Sequence, residues 1–294
     1  MGFLDKLKEN FELGPLVIEA GGVALIVLYG GIGWAYEAYA TYSRAWPTTT
    51  GPSAAFVRLT NISINTSMVM NGCINFFLLT VLTWLGAPIS GGHYNPAITI
   101  GHMVTGNIML VKGVLYILAQ LAGSVGGTFL YGLIVPAFLK TVAEYGNVTS
   151  GLPKIHSAFG YQNFVIQFLG AFGLMFVFYA LRIEKKGGSN QSFGVAIGAI
   201  TAATVMCFGE FTYHPPGMPK RDQDKLQGVT CNSNLNPARV FGPALFNFSS
   251  LRLASLIYGI IGPIIGATVA SLVYKWFLHK KEVEEEDEEN MVMD

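Results

Sequence analysis

The sequence predicts an all-α membrane protein with six transmembrane helices and two re-entrant half-helices, arranged as an inverted 3+3 repeat. Three observations carry this reading. Charged residues make up only 12% of the chain and hydrophobic ones 51%, with a mean hydropathy of +0.45. Soluble domains have about 25% charged residues. Six apolar stretches, at 15–38, 64–86, 111–135, 162–182, 192–210 and 252–277, are each long enough to cross a bilayer, whose hydrocarbon core is about 30 Å thick. Finally, the tripeptide Asn-Pro-Ala occurs once in each half, as Asn95-Pro96-Ala97 and Asn236-Pro237-Ala238.

The chain opens with Phe3, Leu4, Leu7 and Phe11 at helical spacing. Residues 1–14 are read as an amphipathic segment at the membrane surface, with a frayed terminus as the alternative. Residues 15–280 form the spanning domain, and 281–294 an acidic, disordered tail built around Glu284–Glu289. The first ten residues carry Asp5, Lys6, Lys8 and Glu9, which is not the pattern of a cleavable signal peptide. Position 6 lacks the Ser or Thr that N-myristoylation favours. Within the spans, Glu19 and Gln167 stand at matching places near the openings of spans one and four. A polar group at that depth must face the protein interior and find partners. Gly123 with Gly127, and Gly194 with Gly198, are small-xxx-small pairs that let helices touch. Cys73 and Cys207 lie in apolar runs and read as packing residues, while Cys231 falls in a loop.

The halves repeat: an opener at Glu19 or Gln167, then an Asn-Pro-Ala two spans later. Three spans per half is an odd number, so the halves insert with opposite orientation, which puts a functional site near the midplane between them. Arg182, Lys185 and Lys186 share a side with Lys6, Lys8, Lys275, Lys280 and Lys281. The positive-inside rule makes that side, and both termini, cytoplasmic. Asn61, Asn65 and Asn147 head glycosylation acceptor patterns on the other side. The plasma membrane and an endomembrane are both compatible with these features. Two outer connections are long, 39–63 and 209–230.

Asn is a good helix cap and Pro is favoured in the first turn, so half-helices begin at Pro96 and Pro237. Irregular backbone at membrane depth is tolerated only where it is buried in protein or lines a cavity. The loops before Asn95 and Asn236 should therefore fold inward. Opposite insertion brings the two helix N-termini to one spot, with positive dipole ends converging. The carbonyls of Gly91, Gly92 and His93, and of Asn232, Ser233 and Asn234, are the expected acceptors of a pore.

At this point the chain resembles the aquaporin (major intrinsic protein) family. The pieces that carry the resemblance are Ser90-Gly-Gly-His-Tyr-Asn-Pro-Ala-Ile-Thr, Asn236-Pro-Ala-Arg-Val-Phe-Gly-Pro-Ala, Tyr116-Ile-Leu-Ala-Gln-Leu-Ala-Gly and Gly262-Pro263. The resemblance implies an hourglass fold, a homotetramer in the lipid bilayer with one pore per subunit, and passive conduction of water. Small neutral solutes such as glycerol or urea are further permeants it allows, with protons and ions excluded at the paired motifs. It also implies a second constriction, where Arg239 matches the family's filter arginine and Ser233 stands three residues before Asn236. Val205 aligns with the span-five filter position, and Asn75 or Ile74 with that of span two. The water-selective pattern has Phe and His at these two places, so the filter is expected to be wider here. Val240 stands where glycerol facilitators have Asp, Ala244 looks water-type, and Gln167 stands where the family has Glu. The resemblance assigns Glu19 and Gln167 to bracing the re-entrant loops.

Other functions are less well supported. His93 has no second ligand at metal-binding spacing, and reads as a hydrogen-bonding group in its loop. His102 is a minor candidate for pH sensing at a cytoplasmic vestibule. Nucleophile triads, phosphate loops and paired catalytic carboxylates are absent from the sequence, so neither enzyme activity nor a cofactor or metal is expected. A net charge of zero gives no reason to expect nucleic acid as a partner. An adhesive or structural membrane protein that keeps the fold with little conduction is the alternative, prompted by the long outer connections.

Overall fold

A computed structural model of the chain describes residues 11–45, 54–135, 160–183, 190–208, 235–246 and 253–278. The described residues are helical, joined by short turns, with no strand among them. Helix α1 runs Leu13–Ala45 and α2 Ala54–Gly86. The half-helix α3 is Pro96–Thr105 and α4 is Leu110–Ile134. Helix α5, Gly160–Phe178, ends in a π turn at Tyr179–Ile183. Helix α6 is Asn190–Phe208 and the second half-helix α7 is Pro237–Phe246. Helix α8, Leu253–Val273, ends in a π turn at Tyr274–Leu278. Five of these helices are long and apolar enough to cross a membrane, and α6 contributes a shorter apolar stretch at Ser192–Phe208. The half-helices have ten residues each, about 15 Å at 1.5 Å per residue, or half a bilayer core.

One expectation about the connections is corrected. Residues 39–63 are not a long loop, because α1 continues to Ala45 and α2 begins at Ala54. No Gly or Pro interrupts 34–45 or 54–71, whereas Pro47, Gly51 and Pro52 lie in the interval between. Both helices have 33 residues and span about 50 Å, well beyond the hydrocarbon core. Asn61 and Asn65 therefore stand on a helix. Cys207 is a second correction. It is exposed on the outer face of α6 rather than packed inside, and Cys73 is half-buried. The N-terminal segment up to residue 10, the connection 209–230, Cys231, Asn147 and the acidic tail lie outside the described residues.

The repeat is visible in the packing. Helix α1 lies along α4, and α5 lies along α8 in the same way. A Cβ at Gly123 of α4 would strike the backbone of Ala20, the residue after Glu19. A Cβ at Gly266 of α8 would strike the backbone of Phe168, the residue after Gln167. Gly127 repeats the contact one turn on, against Ala24. The third interface joins α2 to α6. There Gly194 sits against Trp84 and Thr80, and Gly198 against Thr80 and Phe76. Both expected small-residue pairs thus lie at helix contacts. Such close approach is how helices associate where lipid removes the hydrophobic driving force.

The glycines on α4 give a test with an internal control. A methyl group added at Gly126 would meet no atom within 4 Å, unlike one at Gly123. Gly123→Ala should therefore destabilise the detergent-solubilised protein by about 1–3 kcal/mol, the usual cost of overpacking. Gly126→Ala should leave the thermal midpoint unchanged or slightly raised, in keeping with helix propensity. Equal midpoints for the two variants would contradict this packing.

Candidate functional site

The site is made where the two half-helices meet. Asn95 caps α3 from an extended conformation, φ −156° and ψ 119°, and its Oδ1 accepts from the Ala97 N–H at 2.9 Å. Asn236 does the same for α7, accepting from the Ala238 N–H at 3.0 Å. The other end of each carboxamide crosses between the halves. Asn95 Nδ2 donates to the Leu235 carbonyl at 2.9 Å, and Asn236 Nδ2 donates to the Tyr94 carbonyl at 2.8 Å. The two loops are thus pinned to each other by a reciprocal pair of hydrogen bonds.

Those carbonyls are presented by an unusual backbone. Tyr94 has φ 49° and Leu235 φ 50°, the only positive values among the described non-glycine residues. Such a conformation costs about 1–3 kcal/mol and persists only where its surroundings over-determine it. The surroundings match in the two halves. The Tyr94 ring fills the space beside Gly22 of α1, and Leu235 fills the space beside Gly170 of α5. These glycines come three residues after Glu19 and Gln167 respectively. The Tyr94 N–H donates to Glu19 Oε2 at 2.6 Å, and the Leu235 N–H donates to Gln167 Oε1 at 3.0 Å.

Glu19 does more than this. Ser90 Oγ and the His93 N–H donate to its Oε1 at 2.6 and 2.9 Å, and Gln120 Nε2 donates to its Oε2 at 2.8 Å. With Tyr94 this makes four donors around one fully buried carboxyl group. The same Gln120 Nε2 reaches Thr99 Oγ1 at 3.0 Å, and that hydroxyl donates to the Asn95 carbonyl at 3.1 Å. His93 Nδ1 lies 3.2 Å from the same Thr99 oxygen. With the hydroxyl proton committed to Asn95, the ring nitrogen is left to donate. Gly91 and Gly92, at φ 94° and 69°, supply the left-handed turn that brings His93 round. The second half-helix is docked by Ser124 of α4. Its hydroxyl accepts from the Gly242 N–H at 2.8 Å and donates to the Ala238 carbonyl.

A narrow cavity runs past these groups. Its volume is about 40 Å³, a few times the space one water needs. Asn95 and Asn236 line it, as do Gly92 and His93, with Asn75, Thr201 and Arg239 farther along and Ile26, Leu79 and Ile197 among its apolar walls. Arg239 has no hydrogen-bond or ion-pair partner for its guanidinium among the described residues. It lies against Gly30 of α1, where a Cβ would come within 3.1 Å of Nη2.

Comparison with known proteins points the same way as this geometry. A family model described as Major intrinsic protein matches residues 31–215. Aquaporin TIP1-1 from Arabidopsis thaliana is 32% identical, over 77% of this chain and 79% of its own. Aquaporin TIP1-2 from Musa acuminata is 33% identical, over 76% and 78%. Among solved structures, the aquaglyceroporin from Plasmodium falciparum superposes with a TM-score of 0.57 at 18% identity, over 90% of this chain and 96% of that one. It shares the fold. The chain belongs to the major intrinsic protein family.

Against the residues that resemblance to this family singled out, the geometry divides. Asn95, Pro96, Ala97, Asn236, Pro237 and Ala238 come together at the half-helix junction. Glu19 and Gln167 hold the two loops from behind. Of the span-two candidates, Asn75 lines the cavity, whereas Ile74 points towards Gly33 of α1. Val205 is buried and does not line the cavity; Thr201, one turn earlier on α6, does. The α2–α6 register is set by Gly194 and Gly198, which alignment to a family pattern does not weigh. Gly91 is not among the cavity-lining residues, and Asn232, Ser233 and Asn234 lie outside the described residues. His102 is buried rather than open to a vestibule: its Nδ1 lies 2.9 Å from the Ile98 carbonyl and its ring packs against that of His93, tilted by 35° with centroids 4.5 Å apart. Sequence reasoning assigns no role to Ser124 or Gln120. Each is a polar residue on the glycine-rich face of α4, and that is the available signal.

Glu19 offers the sharpest test of the loop geometry. Backbone N–H groups of His93 and Tyr94 address different oxygens of the carboxyl group, so Glu19→Gln turns an NH2 towards one of them whichever way it flips. The loss should be about 1–3 kcal/mol, the cost of an unsatisfied buried donor, and Glu19→Ala should lose several times that. Thermal denaturation in detergent should rank the proteins wild type, Glu19→Gln, Glu19→Ala.

Proposed function

We propose that this chain is a passive membrane channel for water and small uncharged solutes such as glycerol or urea, with protons and ions excluded where Asn95 and Asn236 meet. The single observation that carries the reading is the reciprocal pair of bonds from Asn95 to the Leu235 carbonyl and from Asn236 to the Tyr94 carbonyl. Each carboxamide nitrogen carries two hydrogens. One is held by the opposite loop, so the other is left for whatever passes. A water that accepts from both asparagines has its oxygen turned to the junction and its hydrogens turned away, which breaks a continuous proton wire. The half-helix N-termini add converging positive dipole ends, and the guanidinium of Arg239, which has no ion-pair partner among the described residues, adds a positive charge. Pore width, lining groups and such a barrier are how channels of this kind select. The relatives named aquaporin support the same function.

The filter is read as Arg239 with Asn75, and with Thr201 in place of Val205. Ser233 is retained as its fourth member from the resemblance alone. The carbonyls of Gly92 and His93 serve as acceptors on one side of the junction, and those of Asn232, Ser233 and Asn234 on the other. The assembly is a homotetramer in the plasma membrane or an endomembrane, with both termini cytoplasmic. Residues 1–14 form an amphipathic surface segment, and 281–294 an acidic tail. The lysines of the termini and of 182–186 support this orientation. The apolar side chains exposed along the outer faces, such as Phe77, Phe129 and Leu169, suit lipid or a neighbouring subunit.

Proteoliposomes under an osmotic step should shrink faster than empty vesicles, with no added proton or sodium conductance. Arg239→Val should keep water flux and raise cation leak. A folded wild-type protein that leaves shrinkage at the level of empty vesicles would overturn the proposal.

A further inference from the structure

The two halves differ in what joins the helices behind their re-entrant loops. In the first half, Gln120 of α4 reaches Glu19 of α1 and Thr99 of the half-helix. Gly123 and Gly266 hold matching places on α4 and α8, against the residues that follow Glu19 and Gln167. Counting back three from each glycine puts Pro263 where α4 has Gln120. Counting on four from Asn95 and Asn236 puts Val240 where the first half-helix has Thr99. Neither Pro263 nor Val240 has a polar side chain, so the link that Gln120 makes has no side-chain counterpart at these positions.

Two polar groups stand near that contact. Asn163, one turn before Gln167 on α5, is 1% exposed. It is the one buried carboxamide with neither its oxygen nor its nitrogen paired among the described residues. The other group is the carbonyl of Gly259, a buried residue of α8 where a Cβ would lie 3.5 Å from Val240. Its helical partner would be the N–H of residue 263, and proline has none. The two groups share a level. Gly262 abuts the Phe164 carbonyl and Gly266 abuts Phe168, so α5 and α8 run side by side in one direction. The Gly259 carbonyl, directed along its helix towards residue 263, comes level with residues 163–164. Native interiors rarely leave such groups unmatched, because each then carries its full desolvation cost.

We infer that Asn163 and the Gly259 carbonyl hold buried water behind the second re-entrant loop. Water fits because it brings donors and acceptors on one small atom, and buried waters serve otherwise unmatched polar groups in this way. Bonded to the Asn163 carboxamide, it donates to the Gly259 carbonyl and so joins α5 to α8, as Gln120 joins α4 to α1. One difference between the halves accounts for both parts of the site. Proline at the place of Gln120 removes the bridging side chain and also frees the carbonyl that the water takes. The site is separate from the passage, since neither Asn163 nor Gly259 is among the cavity-lining residues. It stands whether or not the chain conducts.

A crystal structure of the wild type that resolves ordered interior water tests the site directly. Density at hydrogen-bonding distance from both the Asn163 carboxamide and the Gly259 carbonyl is the expected result. A carboxamide paired with a protein group instead, or left dry where other interior waters are clear, would overturn the inference. Asn163→Leu tests it by stability, because leucine keeps the size and removes both polar ends. A dry, unpaired carboxamide is a burden, and its removal would raise the thermal midpoint. With water bound, the substitution strands the Gly259 carbonyl and should lower the midpoint by about 2–8 °C. In a Pro263→Ala background, which returns an N–H to that carbonyl, the same substitution should cost less. A raised or unchanged midpoint for Asn163→Leu, or an equal loss in both backgrounds, would sink the inference. Should the variants fail to fold, the wild-type density decides alone.

Discussion

Everything at the centre of this protein depends on two side chains that each do two jobs. Asn95 and Asn236 cap their own half-helix with one end of the carboxamide and hold the opposite loop with the other. A residue that only capped would start a helix and leave the halves free to separate. A residue that only crossed over would leave the first N–H groups of a half-helix unpaired at membrane depth, where water is not available to satisfy them. Asn meets both needs because it carries an acceptor and a two-hydrogen donor on one short planar group. Asp lacks the donor, and the extra methylene of Gln loosens the geometry.

The carbonyls those donors reach are available only because Tyr94 and Leu235 take a left-handed backbone. That strain is held in place by the same three-part device in each half: a polar residue on the first helix accepts the strained residue's N–H, a glycine one turn along receives its side chain, and a glycine on a neighbouring helix lets the first helix approach. Glu19, Gly22 and Gly123 serve the first loop; Gln167, Gly170 and Gly266 serve the second. The chemistry has diverged while the geometry has not. Glu19 gathers four donors because the first loop turns through Gly91 and Gly92 and exposes Ser90 and His93 to it. Gln167 has a single acceptor oxygen, and Ser124 docks the second half-helix from α4.

Much of this was legible in the sequence because it rests on local rules. Asn before Pro gives a helix start whatever surrounds it, and an apolar run with a lone Glu or Gln demands an interior partner. Glycine pairs at helical spacing announce close contacts, and Gly123, Gly127, Gly194 and Gly198 all make them. Registers between helices were less legible. Thr201 and Val205 are one turn apart on the same helix, and only the seating of Gly198 against Phe76 and Thr80 decides which of them meets the cavity. Asn75 and Ile74 differ by about 100° around α2, and the contact of Ile74 with Gly33 separates them. Connections were the least legible. Nothing in 39–45 or 54–63 forbids helix, and a helix need not stop where lipid stops.

The distribution of charge follows from the same scaffold. The one buried acidic group among the described side chains is Glu19, and its two oxygens are occupied by donors of the loop it braces, behind Tyr94 rather than in the passage. The passage itself receives the donor ends of two half-helices and the guanidinium of Arg239. On the proposed channel reading, loop bracing and ion exclusion are therefore not separate devices. The carboxyl group that stabilises the first loop is kept from attracting cations by the donors it satisfies, and those donors include the N–H of the residue whose carbonyl anchors Asn236. On that reading a solute meets hydrogen-bonding groups and a positive field, and it can match them without carrying a charge.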